Sequence, residues 1–284
     1  MQAEQKYVTE ERSPTLASDG RVLVVIPAYN EATNIASVVR NVHLQLPDVD
    51  ILVVDDGSID DTAALARAAG AHVVSMPFNM GYGAACQTGF KYACRHDYAY
   101  LVQMDGDGQH EPGSVPDLLD AVRDPQVDIV LGSRWLGRGD YKGPWLRKFG
   151  KFFFAFLARL CTRHEVTDPT TGFQAMNRKV MEFYCTEVYP VDYPDADMII
   201  TLDRAGFHVK EVPVIMYLNR SGQSMHAGLL RPIYYGMKMM MSITMTMMRD
   251  DRRLTLKHPP GNGSLRPMPP IALQAAVPTN REAP

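Results

Sequence analysis

Apolar residues recur along this chain in short unbroken runs, separated by stretches in which they fall at helical spacing. Runs of strand length occur at Val22 to Ile26, Ile51 to Val54, His72 to Ser75, Tyr98 to Met104 and Val127 to Leu131. Between them, Ile35 to Leu46, Thr62 to Ala69, Gly83 to Arg95 and Val115 to Val122 place apolar side chains on one face of a helix. A strand that is apolar throughout, rather than at alternate positions, is covered on both faces. The pattern therefore predicts an α/β fold with a mostly parallel central sheet flanked by helices. Ligands of such sheets bind beyond the carboxyl ends of the strands, so the residues that follow each run are the ones to inspect.

Composition narrows the picture only slightly. The 284 residues are 46% hydrophobic and 21% charged, enough for one large core. A net charge of -3 argues against a surface built to bind nucleic acid. Cys86, Cys94, Cys161 and Cys185 include no CxxC pair and read as reduced thiols of a cytoplasmic protein. Residues 1–19 are polar and acidic with no apolar run, which predicts a disordered arm rather than a secretion signal. The Pro-rich residues 258–284 read as a disordered tail. The apolar runs fall short of the roughly 20 residues that span a bilayer.

Chemistry gathers at the strand ends. Pro27-Ala-Tyr-Asn-Glu31 follows the first run, Asp55-Asp-Gly-Ser58 the second, and Asp105-Gly-Asp-Gly-Gln-His110 the fourth. An isolated Asp-x-Asp is most often a solvated turn. Here Gly106 and Gly108 let Asp105 and Asp107 face a common point, and a divalent cation shared with substrate phosphates would remove their repulsion. A calcium loop of the EF-hand type is excluded, because its glycine and glutamate positions are occupied by His110 and Pro116. Asp60 and Asp61 precede Thr62 where a helix start needs capping, so they read as caps before ligands.

Together with Asn79-Met-Gly-Tyr-Gly83 and Gly132-Ser-Arg134, these segments resemble, in order and spacing, the family 2 glycosyltransferases of the GT-A (Rossmann-like) fold. The resemblance extends over about residues 20 to 220. It is strongest with the branch of dolichyl-phosphate mannose synthases and polyprenyl-phosphate glycosyltransferases. It implies that Pro27, Tyr29, Glu31, Asp56, Gly81 and Asp105 bind the nucleotide sugar, with Asp56 on base or ribose. Asp105 and Asp107 would hold Mg2+ or Mn2+, with Gln109 as a further ligand, and Asp107, Asp168 and Arg134 would serve the reaction. The Asn79–Gly83 segment is equally readable as a simple helix-start turn, and His110 as a residue that orders its loop.

On the acceptor side, Arg134, Arg138, Lys142, Arg147, Lys148 and Lys151 face a single acid, Asp140. Arg134, Arg147 and Lys151 are the expected contacts for an acceptor phosphate, a role that suits cations. Asp168-Pro-Thr-Thr-Gly-Phe173 resembles the segment that faces the reaction centre in polyprenyl-phosphate enzymes. Asp195 or Asp197 lies where many members carry a base, and the sequence does not choose between them. Residues 149–161 form an apolar segment readable as a core helix or an interfacial one. Residues 221–257 read as a basic amphipathic helix for a membrane surface or membrane-protein partner. In it Leu230, Ile233, Tyr234, Met237, Met241, Thr244 and Met248 lie opposite Arg231, Lys238, Ser242 and Arg249. The expectation is a metal-dependent inverting transferase that moves a hexose from a nucleotide-diphosphate sugar, of the GDP-mannose or UDP-glucose type, to polyprenyl or dolichyl phosphate, peripheral at the cytoplasmic face of a membrane. The alternatives are transfer to a soluble or carbohydrate hydroxyl and a non-catalytic sugar-nucleotide-binding subunit.

Overall fold

The computed structural model describes residues 20–136, 166–190 and 196–217, together with helical residues 240, 241, 244–246 and 248. Its strands are β1 (Val22–Ala28), β2 (Asp50–Asp55), β3 (His72–Ser75), β4 (Tyr100–Gln103), β5 (Ile129–Ser133), β6 (Gln174–Asn177) and β7 (Val209–Pro213). They form a 7-stranded sheet in the order β3-β2-β1-β4-β6-β5-β7. Pairing is parallel except at β6, which runs antiparallel to both β4 and β5.

The helices are α1 (Ile35–Gln45), α2 (Thr62–Ala68), α3 (Tyr82–Arg95), α4 (Val115–Val122), α5 (Arg178–Tyr184) and α6 (Ala196–Arg204), and a 3-10 turn at Pro112–Ser114 leads into α4. Successive side chains of a strand point to opposite faces, and β1 shows the result directly. Val22, Val24 and Ile26 pack with Val38, Val39 and Val42 of α1 and with Leu118 and Leu119 of α4. Leu23 and Val25 pack on the other face with Ala85 and Phe90 of α3, Met181 of α5 and Ile199 of α6. Both faces are covered, as the unbroken apolar runs require.

Helix α3 rides close on the sheet because Gly89 has no side chain. A β-carbon there would stand 2.4 Å from Val25 Cγ1. Alanine would gain about 1 kcal/mol of helix propensity. Overpacking against a stiff, fully buried valine costs about 1–3 kcal/mol. Gly89→Ala is therefore expected to lower the urea midpoint of unfolding, and a raised midpoint would show that the helix can lift away freely.

Cys86, Cys94 and Cys185 are free thiols. The late helical residues touch the domain where Arg204 Nη1 donates to the Thr246 carbonyl at 2.6 Å. Thr246 is buried, while Met241, Thr244, Met245 and Met248 are exposed. The basic stretch from Arg138 to Lys151, the apolar segment 149–161, Asp195 and both terminal segments lie outside the described residues.

Candidate active site

The turns after β1, β2 and β4 converge at the carboxyl edge of the sheet. Asn30 adopts φ 55, which reverses the chain directly after β1. Its backbone N–H donates to Ser58 Oγ at 2.9 Å, and its side-chain oxygen accepts from the Ile59 N–H at 3.0 Å. The Glu31 N–H donates to Thr62 Oγ1 at 2.8 Å. Asp60 accepts from the Ala32 N–H at 3.2 Å and from the Thr62 N–H at 3.1 Å, which is the capping use read from its position. Asp61 occupies the N-cap position of α2 without a side-chain hydrogen bond.

Pro27 lies in β1 with its carbonyl beneath Gly106, where an added β-carbon would meet it at 3.4 Å. Tyr29 is exposed above this edge. Glu31 is half-buried and accepts from Asn34 Nδ2 at 2.9 Å. Burial raises its carboxyl above the usual range; the Asn34 bond opposes that, and the negative fields of Asp107, Asp105 and Asp60 add to it.

Asp56 is buried, and both of its oxygens are engaged by backbone. Oδ1 accepts from the Met80 N–H at 2.8 Å and Oδ2 from the Gly81 N–H at 2.9 Å. The residue thus holds the N–H of Gly81, the N-cap of α3, and that of Met80 just before it, and its charge complements the α3 dipole. Two glycines permit the contact. Gly81 adopts φ 100, and at Gly57, with φ +70, a β-carbon would stand 2.6 Å from the Phe78 carbonyl carbon. The Asn79–Gly83 segment is accordingly a helix-start turn fastened to the end of β2.

Tyr82, the first residue of α3, donates its phenol to Asp105 Oδ1 at 2.7 Å. Gln103 Nε2 donates to the same phenol oxygen at 3.0 Å and to the Gly172 carbonyl at 3.2 Å. Burial first, then the charge of Asp105, push the Tyr82 phenol well above its ordinary pKa, so it remains a donor. His110 is buried and stacked on Phe173, ring centroids 4.7 Å apart. Its Nδ1 accepts from the Asp105 N–H at 3.0 Å, which assigns the neutral ring's proton to Nε2, 3.6 Å from Asp105 Oδ2. His110 thus orders the loop, as its sequence position suggested. Asp107 accepts from the Gln109 N–H at 3.0 Å and from the Gln109 side-chain amide. The Gln109 amide nitrogen is therefore turned onto Asp107.

Among the described residues, neither Asp105 nor Asp107 has a Lys or Arg partner. No group of three His, Cys, Asp or Glu side chains among those residues is placed to enclose a metal ion. The pair fits a cation that takes its remaining ligands from phosphate oxygens and water, the usual habit of magnesium.

At the end of β5, Arg134 forks onto Asp168, with Nε to Oδ2 at 2.7 Å and Nη2 to Oδ1 at 3.0 Å. Its backbone N–H adds a third contact at 3.2 Å. The Asp168 side chain is 1% exposed and that of Arg134 22%. Glu211 of β7 braces the same segment, accepting from the Thr167 and Asp168 N–H groups at 2.8 Å each. The segment then runs to Gly172, where a β-carbon would stand 3.0 and 3.1 Å from the two Asp105 oxygens. Asp168 and Asp105 are thus joined by one short stretch of chain. Asp197 is buried in the first turn of α6, its field bearing on Tyr184 and Tyr189. Arg147 and Lys151 lie outside the described residues.

Sequence reasoning missed Tyr82, Gln103 and Glu211. Tyr82 stood inside a quoted motif, and the signal was an aromatic residue at a glycine-rich helix start. Gln103 is a lone amide in an apolar strand. Glu211 carried no local signal.

A largely parallel sheet, with an acidic pair at the end of β4 and a helix start bound to the end of β2, defines a glycosyltransferase of the GT-A fold. The profile of Glycosyl transferase family 2 matches residues 23–184, and the chain belongs to that family. It is 34% identical over 242 residues to the polyprenol monophosphomannose synthase of Mycolicibacterium smegmatis, covering 79% of this chain and 88% of that protein. It is 32% identical over 217 residues to the undecaprenyl-phosphate mannosyltransferase of Micrococcus luteus, covering 73% of this chain and 88% of that protein. Among solved structures, a Pyrobaculum calidifontis mannosyltransferase in complex with GDP-Man and Mn2+ shares the fold. Its TM-score is 0.60 at 19% identity, covering 81% of this chain and 65% of that one. Glucosyl-3-phosphoglycerate synthase from Mycobacterium tuberculosis, with Mn2+ and UDP-glucose, gives 0.58 at 22% identity, covering 82% and 80%.

Proposed function

We propose that the protein transfers a hexose from a nucleotide-diphosphate sugar to a polyprenyl or dolichyl phosphate, with inversion and with Mg2+ or Mn2+. The observation that carries this reading is the Asp105–Asp107 pair, which follows β4 at the carboxyl edge of the sheet with no Lys or Arg partner among the described residues. The names of the Mycolicibacterium and Micrococcus relatives support the lipid phosphate acceptor, and the Mn2+ complexes of the structural neighbours support the cation.

Asp105 and Asp107 would hold the cation, which when bound supplies Lewis-acid stabilisation of the departing diphosphate. Pro27, Tyr29 and Glu31 line the nucleoside side, and Asp56 acts there by fixing the turn that starts α3. Asp168 holds the Arg134 guanidinium in one orientation, and Arg134, Arg147 and Lys151 serve the acceptor phosphate. A phosphate monoester, with a second pKa of about 6, is already largely ionised at neutral pH and needs no dedicated base. The buried Asp197 therefore need not act as one.

Among the described residues no helix is long and apolar enough to cross a membrane. We assign the contact with the cytoplasmic face of the membrane, or with a membrane protein, to the late helix, whose Met241, Met245 and Met248 are exposed.

The test is a screen of GDP- and UDP-sugars with nucleotide release as the readout. Release is expected to require polyprenyl phosphate, to stop with chelator and to resume with Mn2+ or Mg2+. Undiminished release in chelator, or equal release with simple sugar acceptors, would overturn the reading.

A further inference from the structure

We infer that Tyr82 is a positioning residue for the cation site: its hydroxyl fixes one oxygen of Asp105 and leaves the other to the metal. The inference rests on the proposed metal-dependent function and adds to it a residue that carries no carboxylate.

Three observations carry it. The Tyr82 phenol lies 2.7 Å from Asp105 Oδ1, a charge-assisted hydrogen bond of normal length. The direction of that bond is settled by the partner behind it. Gln103 Nε2 donates to the Gly172 carbonyl, which can only accept, so the same nitrogen also donates to the phenol oxygen, and the phenol proton goes to Asp105. The site is also closed sterically, since a β-carbon on Gly172 would stand 2.9 Å from the Tyr82 oxygen and 3.0 Å from Asp105 Oδ1.

The anchoring extends further back. Tyr82 opens α3, and the residues just before it donate their N–H groups to Asp56. Asp56 thus sets the start of the helix, the helix delivers Tyr82, and Tyr82 orients Asp105. With Oδ1 engaged in this way, Oδ2 is the oxygen presented to a cation, and His110 Nε2, at 3.6 Å, stands beyond hydrogen-bond distance of it. Hydrogen-bonded partners of metal ligands commonly govern affinity about 10–100-fold.

The test is Mn2+ binding to the full chain in the presence of GDP or UDP, followed by the loss of the free Mn2+ electron paramagnetic resonance signal. Tyr82→Phe removes only the hydroxyl and is expected to weaken Mn2+ binding about 10–100-fold, while nucleotide binding without metal stays at the wild-type value and the unfolding temperature falls by a few degrees as the Gln103 N–H loses its second acceptor. Gly172→Ala, which crowds the same two groups, should weaken Mn2+ in the same direction and carries the test if the phenylalanine variant fails to fold. Asp105→Asn is the reference. Wild-type Mn2+ affinity in Tyr82→Phe beside weakened affinity in Asp105→Asn would overturn the inference alone. Wild-type affinity in both would overturn the metal-dependent function and the inference with it.

Discussion

Asp105→Asn or Asp107→Asn is expected to cut sugar transfer by roughly 10²–10³-fold, the scale of losing one preorganised electrostatic group from an active site. Asparagine keeps the size of the side chain. In Asp105→Asn an oxygen can still accept from Tyr82, so what is removed is chiefly charge. The substitution takes away one of two neighbouring like charges that have no Lys or Arg partner among the described residues, and it eases Glu31, whose carboxyl is raised first by burial and further by both aspartates. The unfolding temperature should therefore hold or rise while turnover collapses. Nucleotide release by the folded variant at saturating donor measures the first quantity, and a thermal melt the second. Turnover within a factor of two of wild type would remove the acidic pair from the chemistry.

The second large effect is on stability. Arg134→Met leaves the Asp168 carboxylate, 1% exposed, without the guanidinium that forks onto it. Stranding one member of a buried ion pair costs about 3–5 kcal/mol. The Arg134 N–H still donates to Asp168, which places the expectation at the lower end of that range. Whole domains are stable by only about 5–15 kcal/mol, so the urea midpoint should fall steeply. Arg134→Lys should recover little, because an ammonium cannot reproduce the planar two-point contact. Arg134→Met combined with Asp168→Leu should recover much of the loss, since removing both charges leaves neither stranded. A double variant as unstable as Arg134→Met would mean that the loss comes from contacts removed with the Arg134 side chain and not from a stranded Asp168 charge.

β1, β2 and β4 were legible because they are buried on both faces and their sequences show it. β1 reads VLVVIPA and every residue of it is buried. β7 reads VKEVP at the sheet edge, and β6 reads QAMN with polar residues at both ends, so neither resembles a continuous apolar strand. The insertion of β6 between β4 and β5 depends on pairing residues far apart in sequence, such as Leu101 with Met176, which no local pattern encodes.

At the site, the Asp-x-Asp pair and the convergence of the strand-end turns were readable from residue type and position. The use of Asp56 was not, because a carboxylate at a strand end suits a ligand and a helix start equally well. The spatial meeting of β2 with the start of α3 adds the Met80 and Gly81 N–H groups to what its oxygens hold. The fork of Arg134 onto Asp168 escaped notice for the same reason, as 34 residues separate the partners.

The lacing of the first two turns sorts their residues by tolerance to substitution. Asn30, Ser58, Asp60 and Thr62 each receive or give a bond between the turn after β1 and the turn after β2, so exchanging any of them disturbs both turns at once. The side chains of Tyr29 and Ile59 stand exposed beside that framework. Efforts to broaden the range of accepted donors should begin with libraries at these two positions, where variety costs the scaffold least.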